Sequence, residues 1–102
     1  MAKRWLPWWL RKVEKKRELV VAIRQRDGDN CWCCRNPMVF DGAHPNAGRA
    51  ATLEHVVPLS KGGGWALDNL VLCHVGCNRH LGANDPGQKE RMRQPAGRTS
   101  PA

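Results

Sequence analysis

The sequence predicts a small α+β domain in which two short strands precede a helix, a metal ion staples the whole, and a basic helix comes first. Three observations carry this expectation. Cys31 and Cys34 stand two residues apart, and a second group of soft ligands, Cys73, His74 and Cys77, follows roughly forty residues later. Residues 8 to about 27 contain no Gly or Pro and place Trp9, Val13, Val20 and Ile23 near helical spacing. Between and after these lie short apolar stretches set off by Gly, Pro and Asn, the composition of strands and turns.

Taken in order, Asp27-Gly28-Asp29-Asn30 stops the first helix and delivers the chain to Cys31. Met38-Val39-Phe40 reads as a short first strand, and Asp41 to Gly48 as a loop. Ala51 to Val57 reads as the second strand, closed by Pro58, and Lys61-Gly62-Gly63-Gly64 as a flexible turn. Leu67 to Leu72 leads into a helix near residues 75–83. From Asn84 onward the apolar content is too low to predict structure. The organisation expected is a basic, Trp-rich extension with the start of the helix over 1–16, a domain over 17–83, and a disordered basic tail over 84–102.

A single core within 102 residues is thin and calls for a staple. The apolar run Trp5 to Leu10 is too short for a secretory leader, and no run approaches the roughly 18 residues of a membrane span. The expected setting is therefore cytoplasmic and reducing, with no membrane partner, which favours metal over disulfide for the five cysteines. Cys31 and Cys34 with His74 and Cys77 form the preferred tetrahedral zinc set, with Cys73 as the alternative to His74. Four protein ligands leave no open position, so this ion is structural. Cys33 is spare.

The net charge is +8, and residues 1–26 hold nine Lys/Arg against Glu14 and Glu18. A basic face of this kind attracts polyanions, and Arg11, Lys12, Lys15 and Lys16 are its candidate contacts. A solvated helix face explains the same charges equally well.

Chemistry is concentrated at Glu54-His55. A neutral imidazole near pH 7 is a suitable general base, and a carboxylate is a hard ligand for Mg²⁺ or Mn²⁺. Neighbours on a strand point to opposite faces, so the pair can share one site only where the strand end twists. Glu54-His55 with Pro58, the glycine turn, Asp68-Asn69-Leu70-Val71-Leu72 and Cys77-Asn78-Arg79 occur in that order within the two ligand pairs. Together they resemble the HNH endonuclease family, whose ββα-metal domain hydrolyses phosphodiester bonds, over about residues 17–83.

That resemblance implies several roles. His55 activates water, Asn69 holds the loop bearing that base, and Glu54 with Asn78 holds one catalytic Mg²⁺, Mn²⁺ or similar ion. The substrate it implies is DNA, cut to 5′-phosphate and 3′-hydroxyl ends. Two departures stand out: Glu54 occupies a position usually held by Asp, and the second knuckle is His-x-x-Cys. Lys61, Arg79 and Arg35 flank the site as possible phosphate contacts, while His44 and His80 are expected to face solvent. Trp65 is expected to pack behind the glycine turn, Trp32 to cover the zinc, and Trp5, Trp8 and Trp9 to pack on the domain. A monomer is favoured. The rival reading is a zinc-stapled module that binds nucleic acid without cutting it.

Overall fold

The structure, a computed structural model, describes residues 7–40 and 47–95. Trp5, His44 and the far end of the expected tail lie outside the described residues. The elements are α1 (Trp8–Asp27), β1 (Ala51–His55), β2 (Leu70–His74), α2 (Val75–Leu81) and α3 (Pro86–Met92), with 3₁₀ turns at Ala47–Arg49, Leu59–Lys61 and Leu67–Asn69. The helix expected from residue 8 to about 27 is present, and it closes at Gly28, whose φ of +83° lets its amide reach the Arg24 carbonyl. Arg24 then pairs with Asp29 at 2.7 Å and lies over the Phe40 ring, fixing the exit of the helix.

β1 and β2 form an antiparallel hairpin with Ala51 opposite His74 and His55 opposite Leu70. The strand order therefore differs from the one expected. Met38-Val39-Phe40 makes only an isolated parallel bridge, Val39 to Ala50, and the partner of Ala51–His55 is Leu70–His74, read from sequence as a lead-in. The reason is physical: all five residues of β2 are buried, so the strand lacks the apolar–polar alternation that marks a half-exposed one.

Leu70, Leu72, Cys73 and Leu81 join Ile23, Leu19, Cys31, Cys33 and Met38 in the core. Only the C-terminal half of α1 contributes buried residues, Leu19 and Ile23. Trp8, Trp9 and Val13 are exposed rather than packed on the domain, so the helical spacing of Trp9 and Val13 is not a core stripe. Arg26 reaches back from α1 to the carbonyls of Leu67 and Leu70 at 2.7 and 2.8 Å, seating the helix against the start of β2.

A second correction concerns the tail. Pro86–Met92 is a helix, begun by Asp85, whose side chain accepts the Gln88 amide, and by Pro86 in its first turn. The residues after it strap the Cys31–Cys34 knuckle. Arg93 donates to the Trp32 carbonyl at 2.7 Å, the Gln94 amide to the Cys33 carbonyl at 2.8 Å, and Arg35 to the Gln94 carbonyl at 2.6 Å. That last bond helps to hold Arg35 at φ +68°, a left-handed conformation unfavourable for its side chain. The sequence conceals this element because seven residues with one buried side chain, Lys89, carry no apolar periodicity.

Candidate metal and catalytic sites at the two ends of the hairpin

Cys31, Cys34, His74 and Cys77 bring one ligand atom each to within 4.8 Å of one another. His74 Nδ1 lies 3.3 Å from Cys34 Sγ and 3.8 Å from Cys77 Sγ. A tetrahedral zinc ion with its usual bond lengths separates such atoms by roughly 3.5–3.8 Å, so the set fits zinc. The tautomer fits as well: His74 Nε2 lies 2.8 Å from the Pro37 carbonyl, which as a proton acceptor leaves Nδ1 with a lone pair for metal.

Local sequence builds this geometry. Cys31 and Cys34 flank a tight turn in which the Arg35 amide donates to the Cys31 carbonyl, and His74 and Cys77 sit three residues apart where β2 passes into α2. Cys73, the alternative ligand, stays outside the set. It is fully buried on the strand face opposite His74, pairing with Thr52. Its thiol donates a hydrogen bond to the Cys31 sulfur and, with nearby backbone amides, holds the Cys31 pKa far below the usual range, the state a metal ligand requires. Cys33 is also outside, its thiol directed at the Met92 carbonyl.

The opposite end of the hairpin carries Glu54 and His55. Their pairing with Val71 and Leu70 places them on opposite strand faces, and the strand ends at His55. Beyond it the chain turns through Pro58 and the glycines and is drawn back by one side chain. Asn69 Oδ1 accepts the Val57 amide at 2.8 Å, while its Nδ2 donates to the carbonyls of Val57 and Gly64 at 3.1 and 3.0 Å. Glycine is required at residue 63, where a Cβ would meet the Val57 carbonyl oxygen at 1.7 Å. The pinned loop sets Trp65 edge-on to His55, ring centroids 4.4 Å apart. Trp65 is thus half exposed beside the histidine rather than tucked behind the turn.

Burial depresses the His55 pKa below its ordinary value; the Glu54 carboxylate opposes that shift and the Lys89 ammonium adds to it. At this end the buried His55 Nε2 has no hydrogen-bond partner among the described residues, whereas Glu54 Oε2 has the Lys89 ammonium 2.8 Å away. An unpartnered buried nitrogen is uncommon in folded proteins and suits a site that awaits a substrate. Asn78, on α2, donates Nδ2 to the Leu53 carbonyl at 3.0 Å, which anchors it against β1 and leaves its Oδ1 as the available ligand atom. Glu54 has one neighbour that sequence reasoning missed, Lys89 of α3, whose Nζ lies 2.8 Å from Oε2.

Of the flanking residues, Arg79, Lys61 and His80 are exposed, as are Arg11, Lys12, Lys15 and Lys16 along α1. Trp32 is partly buried against the core, with the Arg93 guanidinium 4.2 Å from its ring.

A ββα hairpin-and-helix unit with a four-ligand Cys/His cluster at one end and a Glu-His pair at the other is the architecture of the HNH nucleases. The chain belongs to the HNH endonuclease family, whose model matches residues 43–93, half of its length. The match takes in both strands, α2 and α3, and it starts after the first knuckle. No curated protein and no solved structure matches the chain. The family is one of nucleases acting on nucleic acids, and no helix among the described residues is long and apolar enough to cross a membrane.

Proposed function

We propose that the protein is a metal-dependent endonuclease that hydrolyses phosphodiester bonds in DNA, with His55 as general base. The observation that carries this reading is the buried Nε2 of His55, which has no hydrogen-bond partner among the described residues and sits on a ring whose pKa is held low. An imidazole that stays neutral can take a proton from water at that atom.

The opposed faces of Glu54 and His55 also suit the reaction. In-line attack on phosphorus needs the base on one side of the phosphate and charge stabilisation of the leaving oxygen on the other. Adjacent residues at a strand end supply those two sides. Glu54 Oε2 and Asn78 Oδ1 are the atoms that would hold a Mg²⁺ or Mn²⁺ ion. Once bound, such an ion offsets charge on the scissile phosphate and the departing 3′ oxygen. His55 takes the proton as the water oxygen bonds to phosphorus, the bond from phosphorus to the 3′ oxygen breaks, that oxygen takes a proton from solvent, and a 5′-phosphate and a 3′-hydroxyl result. Asn69 keeps the loop after His55 in place, so the base does not drift. Arg11, Lys12, Lys15 and Lys16, with Lys61 and Arg79, would meet phosphates along the duplex.

Zinc at Cys31, Cys34, His74 and Cys77 would be structural, and the working form is read as a cytoplasmic monomer. The test separates cutting from binding: an end-labelled duplex is incubated with wild type or Glu54→Ala, with and without Mg²⁺ or Mn²⁺. Cleavage by wild type alone, with gel-shift binding by both, supports the nuclease. Binding by wild type with no cleavage under any divalent ion would instead establish a binding module.

A further inference from the structure

Lys89 is 1% exposed, a burial that lysine adopts almost only when its charge is paired. Its ammonium donates to the His55 carbonyl at 2.6 Å and lies 2.8 Å from Glu54 Oε2. One ammonium thus faces both the carbonyl and the carboxylate, whose charge it offsets. The helix that supplies this lysine is fixed at both ends, by the Asp85 cap before it and by Arg93 and Gln94 on the knuckle after it. The ammonium is therefore delivered to the end of β1 by design of the fold rather than by a wandering surface side chain.

Glu54 is the carboxylate assigned above to the divalent ion, and the inference rests on that assignment. Lys89 and the ion carry the same sign of charge and contend for the same oxygen. We propose that Lys89 is a tethered cation that holds Glu54 until a divalent ion displaces it, so that α3 governs loading of the catalytic ion. Tethering gives the ammonium a high effective concentration at Glu54. Its flexible four-carbon stem lets it withdraw without moving the helix. In this arrangement the ion-free site keeps its buried carboxylate neutralised, and the same lysine weakens the hold on metal.

The experiment is Mn²⁺ binding to the zinc-loaded full chain without DNA, by calorimetry and by thermal shift. Wild type is compared with Lys89→Met, with Lys89→Gln, which keeps a donor for the His55 carbonyl but no charge, with Glu54→Gln, and with Lys89→Gln/Glu54→Gln. Both single lysine variants are expected to bind Mn²⁺ on the order of tenfold more tightly than wild type, and both Glu54→Gln proteins to lose that binding. Equal or weaker Mn²⁺ affinity in the lysine variants, with Glu54→Gln still binding poorly, overturns the tethered cation while leaving Glu54 as the ligand. Unchanged binding when Glu54→Gln is combined with Lys89→Gln overturns the ligand assignment beneath it.

Acylation of wild type by an amine-reactive reagent, mapped by mass spectrometry, gives an answer free of any folding defect. Mn²⁺ should raise the labelling of Lys89, and labelling unaffected by Mn²⁺ contradicts displacement.

Discussion

The two ends of one five-residue hairpin have opposite chemical characters. At the Ala51–His74 end, four ligand atoms face one another within 4.8 Å, and the histidine's second nitrogen meets a carbonyl. At the His55–Leu70 end, the buried His55 Nε2 faces no hydrogen-bond partner among the described residues, and a carboxylate leans on a lysine drawn in from α3. The first end is complete once a zinc ion joins it. The second is complete only with something from outside. The contrast teaches that a closed ligand set suits a staple, whereas an unsatisfied buried group suits the chemistry proposed above.

The largest effect should come from breaking the closed end. Cys34→Ser, or removal of zinc by a chelator, is expected to unfold the domain, because structural zinc supplies about 10–16 kcal/mol, as much as the whole stability of a small domain. Far-UV circular dichroism before and after zinc is restored reads this directly, and a chelated protein that keeps its helix content and melting point would show that the staple is dispensable.

The open end should behave in reverse. His55→Ala is expected to lower the cleavage rate by about 10²–10⁴-fold while its thermal midpoint stays within a few degrees of wild type. A variant that fails to fold would mean that His55 is structural.

Asn69→Ala lies between the two. It leaves the Val57 amide and the carbonyls of Val57 and Gly64 without their partner, a cost of about 1–3 kcal/mol. It should also reduce cleavage without changing DNA affinity, and urea melts beside single-turnover rates separate the two consequences.

The pH dependence follows from burial. The folded-state pKa of His55 lies below its ordinary value, so the unfolded chain takes up the proton first. The stability due to this group is present above an unfolded pKa of about 6.5 and is lost as pH falls below it. Cleavage should persist to lower pH than an exposed histidine allows. Trp65→Ala, which opens the ring to water, should move the acid limb back toward the ordinary value, and an unmoved limb would assign the shift to other groups.

The smallest effects belong to α1. Each of Lys12→Ala, Lys15→Ala and Lys16→Ala should reduce the slope of log affinity against log salt by about one. An unchanged slope would return these residues to a solvated helix face.

How much of this was legible beforehand depended on the kind of signal. The knuckle pairs Cys31/Cys34 and His74/Cys77 are a spacing code, and spacing survives in sequence, so the metal set could be read without coordinates. The long α1 was legible as well, because absence of Gly and Pro over some twenty residues is itself evidence. β2 was not, since a strand buried on both faces looks like any apolar run. Lys89 was least legible of all. A lone lysine in a polar stretch reads as solvent-facing, and only the meeting of α3 with the end of β1 shows that its charge is matched by Glu54. Trp65 likewise needed the pinned loop to show that it stands beside His55.

The central claim is that the open end of the hairpin cuts DNA with His55 as base. The most direct measurement is conversion of supercoiled plasmid by zinc-loaded wild type and His55→Ala, each shown to be folded, with Mn²⁺ added or withheld. The account predicts nicked or linear plasmid with wild type and Mn²⁺, and intact plasmid with the variant, which still retards DNA in a gel. Equal cutting by His55→Ala, or no cutting by wild type under any divalent ion, would contradict it.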